Sequence, residues 1–276
     1  RDRGNPLWHY TVTGHAVETL LDAYLTDGRQ FAGYVASSGS GGTLGTGYYL
    51  KRKYPRAKLV VAEALQCPTL MNNGFGAHRI EGIGDKHVPW VHDCKDTDFV
   101  VAVDDEVPMR LLRLFNEPGG RQALTGSGVD GELVSQLDLL GISGIGNLAA
   151  AIKFAKYLEL TEQDVVVSIA TDSMQLYGSR LGELEQERGV YDKLQAQRDI
   201  ELIYSIGMDH IKELTYYDKK AIHNLKYYTW IEQQGREVEE LNEQWDNHDA
   251  YWYDMFEQVD EIDQLISDFN NRVGLL

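Results

Sequence analysis

The sequence is short of cysteine, of positive charge and of long apolar runs. Its two cysteines, Cys67 and Cys94, form no CxxC pair. That excludes a disulfide scaffold and a zinc ribbon, and makes a reducing cytoplasm the expected setting. No stretch approaches the roughly 20 apolar residues of a membrane span, and no basic-then-apolar start marks a signal peptide. Lysine and arginine number 26 against 43 acids, a net charge of −17. Neither nucleic acid nor an anionic membrane is therefore an expected partner. What is present is a globular composition, 43 % hydrophobic over 276 residues, enough to bury the core of one large or two modest domains.

Charge and glycine divide the chain. Residues 1–180 carry a net charge of −4 and residues 181–276 a net charge of −13, and glycine crowds the first part. A glycine-punctuated body over 1–180 and an acidic, aromatic-rich, mostly helical extension over 181–276 are expected.

The body alternates strands and helices. Gly14 to Leu25 has apolar residues at helical spacing. Phe31–Ser37 is a short apolar run breaking into glycine, as a buried parallel strand does. A helical pattern over Tyr48–Tyr54 stops at Pro55. Lys58–Ala64, Asp98–Val103 and Val165–Ile169 are further strands; Asp104 is placed to cap a helix carrying Val107, Leu111, Leu112 and Leu114. Ile145–Leu158 is alanine-rich and helical. This order predicts an α/β fold, a three-layer parallel sheet with helices on both faces.

The strongest chemical signal is Ser38-Gly39-Ser40-Gly41-Gly42-Thr43, which follows a strand and opens a helix. Unpaired amides at a helix start favour an anion, glycines let it approach, and the Ser40 and Thr43 hydroxyls add donors. Phosphate is the expected guest, and Gly41→Val is expected to cost more affinity than stability. The loop is not a Walker loop, because GK[ST] is missing. Gly42-x-x-Gly45-x-Gly47 only echoes a dinucleotide fingerprint; a loop that merely packs tightly is the bland alternative.

The order of motifs resembles the fold-type II pyridoxal-phosphate enzymes, the group of cysteine synthase, cystathionine β-synthase, threonine synthase and the tryptophan synthase β chain. Asn5-Pro6-Leu7-Trp8-His9-Tyr10-Thr11-Val12-Thr13-Gly14 resembles their NPxxHYxTTG, and Gly39-Ser40-Gly41-Gly42-Thr43 their phosphate cup. Glu81-Gly82-Ile83-Gly84 resembles the EGIG segment on the substrate side, Gly141-Ile142-Ser143-Gly144 the GISSG turn, and Asp172-Ser173 with Tyr177 the PDSxxxY motif. The resemblance implies pyridoxal 5′-phosphate held by Gly39, Ser40, Gly41, Gly42, Thr43 and Ser173. It places Gly82, Ile83, Gly84 and Ser143 on the substrate side and puts Ser173 opposite the pyridine nitrogen. A neutral serine there implies a milder electron sink, suited to β-elimination or β-replacement on a serine- or cysteine-like amino acid by a lyase or transferase. A cytoplasmic homodimer is implied as well.

Departures gather on the substrate side. Thr171 replaces the proline before Asp172-Ser173, Leu176 an arginine before Tyr177, and Gly144 a serine, with Asn147 three residues on. Asp85-Lys86-His87 follows the EGIG segment, and glycine-rich extra sequence lies between Phe115 and Leu140. The larger departure is the Schiff-base lysine, which the family carries ahead of the HYxTTG segment. Lys51, Lys53, Lys58 and Lys86 stand in the wrong context for it, and the chain opens on Arg1. Residues 1–180 are therefore expected to be a partial cofactor domain completed by an N-terminal segment or chain, with no catalytic residue assigned. The alternative is a non-catalytic pyridoxal-phosphate- or phosphate-binding subunit or scaffold; a nucleotide-binding domain using the same loop is a distant third.

Elsewhere the signals are weaker. His87, His92 and Cys94 match no standard zinc spacing, and no metal is expected. Asp104-Asp105-Glu106 suits a helix start rather than a catalytic carboxylate pair. His9 is expected to be structural. In the extension, Phe256, Val259, Ile262, Ile266, Phe269 and Val273 fall on one helix face. Tyr227-Tyr228-Thr229-Trp230 and Trp245–Tyr253 concentrate aromatics among acids. The extension is expected to pack on the body or across a dimer; covering the active site or binding a partner is the sharper alternative.

Overall fold

The computed structural model describes residues 4–37 and 39–275. Five strands form one sheet in the order β4-β1-β2-β3-β5: β1 Gln30–Ser37, β2 Lys58–Ala64, β3 Phe99–Val103, β4 Asp164–Ser168 and β5 Ile211–Glu213. The first four are mutually parallel, with Gly33 opposite Lys58, Val60 opposite Phe99 and Gln30 opposite Asp164. The expectation of a wholly parallel sheet needs one correction. β5, supplied by the extension, runs antiparallel to β3. Three polar-flanked residues carry too little pattern to announce a strand; pairing with the open edge of β3 makes them one.

Side chains alternate across this sheet as the pleat dictates. Tyr34, Ala36, Leu59, Val61 and Val100 enter one core, beneath the helix α1, Leu44–Lys53. Val35, Val60, Ala62, Phe99 and Val101 enter another, against Ala149, Ala150 and Phe154. Between them these strands are buried on both faces, which is why β2 and β3 are nearly continuous apolar runs.

Helix α2, Glu106–Asn116, begins where expected. Asp104 accepts the Glu106 N–H at 2.9 Å, while the Asp105 carboxylate, one residue later, is taken up by Arg79. Helix α3, Ile142–Tyr157, starts three residues earlier than its alanine-rich pattern suggests, because Gly141, Ser143 and Gly144 mask the first turn. A third core joins α2 and α3 to α4, Gly178–Arg188, and α5, Lys193–Ser205, through Leu111, Leu112, Leu184, Tyr191 and Ala196.

The extension continues with α6, Tyr216–Lys226, α7, Val238–Asp246, and α8, Val259–Val273. Leu214, Ile222, Tyr251, Trp252, Tyr253 and Phe256 share the core of β1 and β2. Lys226 is fully buried, and its Nζ donates to the carbonyls of Trp90 (3.0 Å) and His92 (2.6 Å) and to Gln244 Oε1 (2.7 Å). A π-helical turn over Tyr227–Gln233 follows and aims the Trp230 indole N–H at the Val88 carbonyl, 2.8 Å away. The expected apolar face of α8 is different. Phe256 is buried, but Ile266, Phe269 and Val273 are 52 %, 61 % and 51 % exposed. Among the described residues, no helix is long and apolar enough to cross a membrane.

Candidate active site

At the C-terminal ends of β1 and β4, the two strands where the chain order reverses, lies a cavity of about 120 Å³. An open α/β sheet places its ligands at such a switch point. The turn from β1 into α1 forms one wall. Ser38 lies outside the described residues; Gly39, Ser40, Gly41, Gly42 and Thr43 all line the cavity. The N–H groups of Ser40, Gly41, Gly42 and Thr43 find no acceptor in the described protein. Gly41 has φ +85°, a left-handed conformation that a side chain resists.

The other glycines of the loop serve packing. A Cβ on Gly45 would sit 2.2 Å from the Pro6 carbonyl oxygen, and one on Gly47 2.3 Å from Leu59. A Cβ on Gly42 would meet the Asn5 side chain at 2.4 Å. This close packing accounts for the echo of a dinucleotide fingerprint.

Gly82, Ile83 and Ser143 line the same cavity. Gly84 does not; it sits in a neighbouring small cleft beside Glu63 and Cys67. Nor does Ser173, which precedes a 3₁₀ turn at Met174–Leu176 and accepts the Leu176 N–H on its carbonyl at 3.2 Å. Thr171 reaches the cavity two residues earlier, its hydroxyl 3.3 Å from that of Ser143. The Tyr177 hydroxyl donates to Asp172, and an Arg180–Glu81 ion pair ties α4 to the residue before Gly82.

Besides Thr171, four polar lining residues were given no binding role from sequence: Asn5, His9, Ser37 and Asn147. Asn5 donates from Nδ2 to Ser40 Oγ at 3.2 Å, and the Ser37 hydroxyl donates to Asn147 Oδ1 at 2.5 Å. His9 also faces the cavity; burial lowers its pKa, which keeps the imidazole neutral. Asn5 and His9 stand inside a quoted motif, so a signal existed for them; Ser37 and Asn147 had only their nearness to one.

No lysine lines the cavity among the described residues. Lys51 is committed to Asp98 at 2.8 Å and Lys53 to Glu18 at 2.7 Å. His87, His92 and Cys94 do not converge either. Burial, with Lys226 adding to it, pushes the His92 imidazole down to about 3, and its Nε2 meets the Thr97 hydroxyl at 2.8 Å. Burial pushes the Cys94 thiol up to about 11.

Instead Asp93, Asp96 and His248 meet, and they clasp the extension to the body. His248 Nε2 lies 2.7 Å from Asp93 Oδ2, and Tyr253 donates to Asp96. Burial pulls the His248 pKa down, but the Asp93 carboxylate, with Asp96 and Asp249 behind it, more than reverses this and leaves it raised. A histidine raised on folding stabilises fully below its unfolded value of about 6.5, and that contribution fades as pH climbs through the folded value. The melting temperature is expected to fall from about pH 6 to about pH 8.5 by more in the wild type than in His248→Asn. Parallel slopes in thermal melts would show that the clasp does not depend on the imidazolium.

No protein-family model matches the chain. Among curated proteins, it is 31 % identical over 181 residues to cystathionine β-synthase of Saccharomyces cerevisiae, covering 63 % of this chain and 32 % of that one. It is 33 % identical over 140 residues to the O-acetylserine-dependent cystathionine β-synthase of Bacillus subtilis, covering 50 % and 42 %. It is 28 % identical over 174 residues to cysteine synthase of Staphylococcus aureus, covering 63 % and 48 %. The chain is homologous to the fold-type II pyridoxal-phosphate enzymes.

It spans a third to a half of the length of these curated relatives. Solved structures repeat the fold-type II architecture. A hydrogen sulfide-producing enzyme of Fusobacterium nucleatum superposes with TM-score 0.51 at 24 % identity, over 76 % of this chain and 52 % of that one. O-acetylserine sulfhydrylase isoform 3 of Entamoeba histolytica gives 0.53 at 18 % identity, over 71 % and 51 %.

Proposed function

We propose that residues 39–43 hold the phosphate of pyridoxal 5′-phosphate, and that the protein takes part in β-replacement or β-elimination on a serine- or cysteine-like amino acid. The observation that carries this is the cup itself. Four amides without acceptors surround a left-handed Gly41 at the head of a helix, a donor set matched to a phosphate dianion. When bound, the cofactor withdraws electrons from the substrate's α-carbon. The Ser40 hydroxyl supplements the amides, whereas that of Thr43 donates to the Ser37 carbonyl at 3.3 Å. Gly82, Ile83 and Ser143, which line the same cavity, are our substrate-side residues. Ser173 remains our candidate for the ring nitrogen, with Thr171 beside it on the same segment.

The cup is part of a larger site. About 120 Å³ falls short of the roughly 300 Å³ at which ligand cavities begin, and no described lysine lines it. We therefore place the cofactor-linking lysine, and the wall closing over the ring, outside these 276 residues. Residues 1–180 would be the cofactor-binding unit and 181–276 its extension. The exposed stripe on α8 suits a homodimer, and the acidic, cysteine-poor chain a cytoplasmic one. The lack of a lining lysine also supports a second reading, a subunit that binds pyridoxal phosphate or phosphate without catalysing.

Titrating the chain with pyridoxal phosphate, followed by cofactor fluorescence, should show reversible binding that inorganic phosphate competes away. Binding that phosphate cannot displace would remove the cup from the site. Borohydride reduction and peptide mapping then address the lysine. Stoichiometric labelling of Lys51, Lys53, Lys58 or Lys86 would place it within this chain after all.

A further inference from the structure

A second cavity, of about 310 Å³, opens between α2, the end of α4 and the start of α5, and it shares no residue with the cup. Arg110, Arg113, Arg188 and Arg198 line it in a chain whose net charge is −17. Such a concentration of one residue type against the prevailing charge calls for an account from its partners.

Three of the four guanidinium groups are held in place. Arg188 forks onto Glu106, at 2.6 and 3.0 Å. Arg110 Nε donates to Asp199 at 2.6 Å, and the Tyr191 hydroxyl meets the other oxygen of that carboxylate at 2.8 Å. Arg113 is 2 % exposed; it donates to Glu117 and to the Gly189 carbonyl and lies 4.9 Å from the Tyr191 ring centre.

The carboxylates lining the cavity, Glu106 and Asp199, are fewer than its four arginines. Glu106 serves Arg79 as well as Arg188, at 2.8 Å. Glu117 pairs with Arg113 and, at 3.9 Å, Glu187 with Arg188, both from outside the cavity. Arg198 alone of the four has no partner for its guanidinium among the described residues. The packing holds three guanidinium groups in fixed orientation and leaves a fourth free at the rim.

We propose that this cavity is a binding site for a small phosphate monoester. Arginine forks match the oxygen spacing of phosphate and pair with it bidentately, which a lysine cluster would not do. The volume exceeds that of bare phosphate and sits at the low end of ligand cavities, about 300 Å³, leaving room for a short organic body. Helix α4 runs between the two cavities, with Arg180 on Glu81 at its start and Arg188 in this pocket at its end.

Isothermal titration of the 276-residue chain with glycerol phosphate and with inorganic phosphate, at constant ionic strength set by chloride, tests the assignment. Two phosphate sites are expected in the wild type, of which Gly41→Val removes one, the cup. Arg198→Gln should weaken the other about ten-fold or more while leaving the cup intact. Arg198 has no partner to lose, so the variant should melt as the wild type does without ligand. Arg198→Lys, keeping charge but not the fork, should fall between them. Tighter binding of glycerol phosphate than of phosphate would establish the monoester; the reverse order would make the site one for the bare anion and overturn that assignment. Identical binding by wild type and Arg198→Gln, or equal effects from chloride, would overturn the site. A single site, unchanged in Gly41→Val and weakened in Arg198→Gln, would count against the cup and support this one.

Discussion

Gly41→Val is expected to abolish phosphate and pyridoxal-phosphate binding, by about 100-fold or more, and to lower stability by about 1–3 kcal/mol. With φ +85°, Gly41 holds a conformation that β-branched side chains resist. A Cβ there would point at Val91 and Pro89, at 3.3 and 3.5 Å, rather than into the cavity. The damage therefore comes from the backbone. Relieving the strain rotates the peptide units on either side and turns their N–H groups away from a shared centre. The expectation from sequence, a larger cost in affinity than in stability, is kept, but its cause moves from a side chain in the phosphate space to the backbone. Fluorescence titration and thermal denaturation measure both effects. Binding within a factor of two of wild type would mean that these amides do not hold the anion.

Lys226→Ala is expected to be the most destabilising change in the extension, by about 3–5 kcal/mol. The ammonium is surrounded by three acceptors, two of them backbone carbonyls of the segment that follows the substrate-side loop. Burial lowers the Lys226 pKa, with the nearby Cys94 and Asp93 acting in the opposite direction. Truncation leaves the Trp90 carbonyl only the Gln244 amide at 3.4 Å and the His92 carbonyl only the Cys94 thiol at 3.7 Å, and opens a void beside Trp252. Lys226→Met fills that void but still removes the strong donor from both carbonyls, so it should cost less than alanine and more than nothing. Urea unfolding distinguishes these outcomes. A loss below about 1 kcal/mol for alanine would show that water enters and replaces the ammonium.

The strands were legible because burial on both faces writes itself as uninterrupted apolar sequence. Lys58–Ala64 ends where the run ends. That residues 39–43, Gly82, Ile83 and Ser143 share one cavity was legible because their motifs occur in an order that one short motif could not supply. Gly84 and Ser173, which do not line that cavity, show the limit of that order. A linear pattern places a segment near a cavity without fixing which of its residues turn inward. Gly84, with φ +84°, lies against His78, and a 3₁₀ turn begins just past Ser173. Lys226 was illegible for another reason. A lysine on an amphipathic pattern looks solvated, and only the carbonyls of a segment more than 130 residues earlier make it a buried tie.

The single reversed strand has a consequence for synthesis and folding. β3 is made early, yet its outer backbone edge is covered only by Ile211–Glu213, long after Phe99–Val103 has left the ribosome. For that interval an apolar edge stands ready to pair with any passing chain, a known route to aggregates. The extension is thus a late chaperone in cis for the sheet it completes.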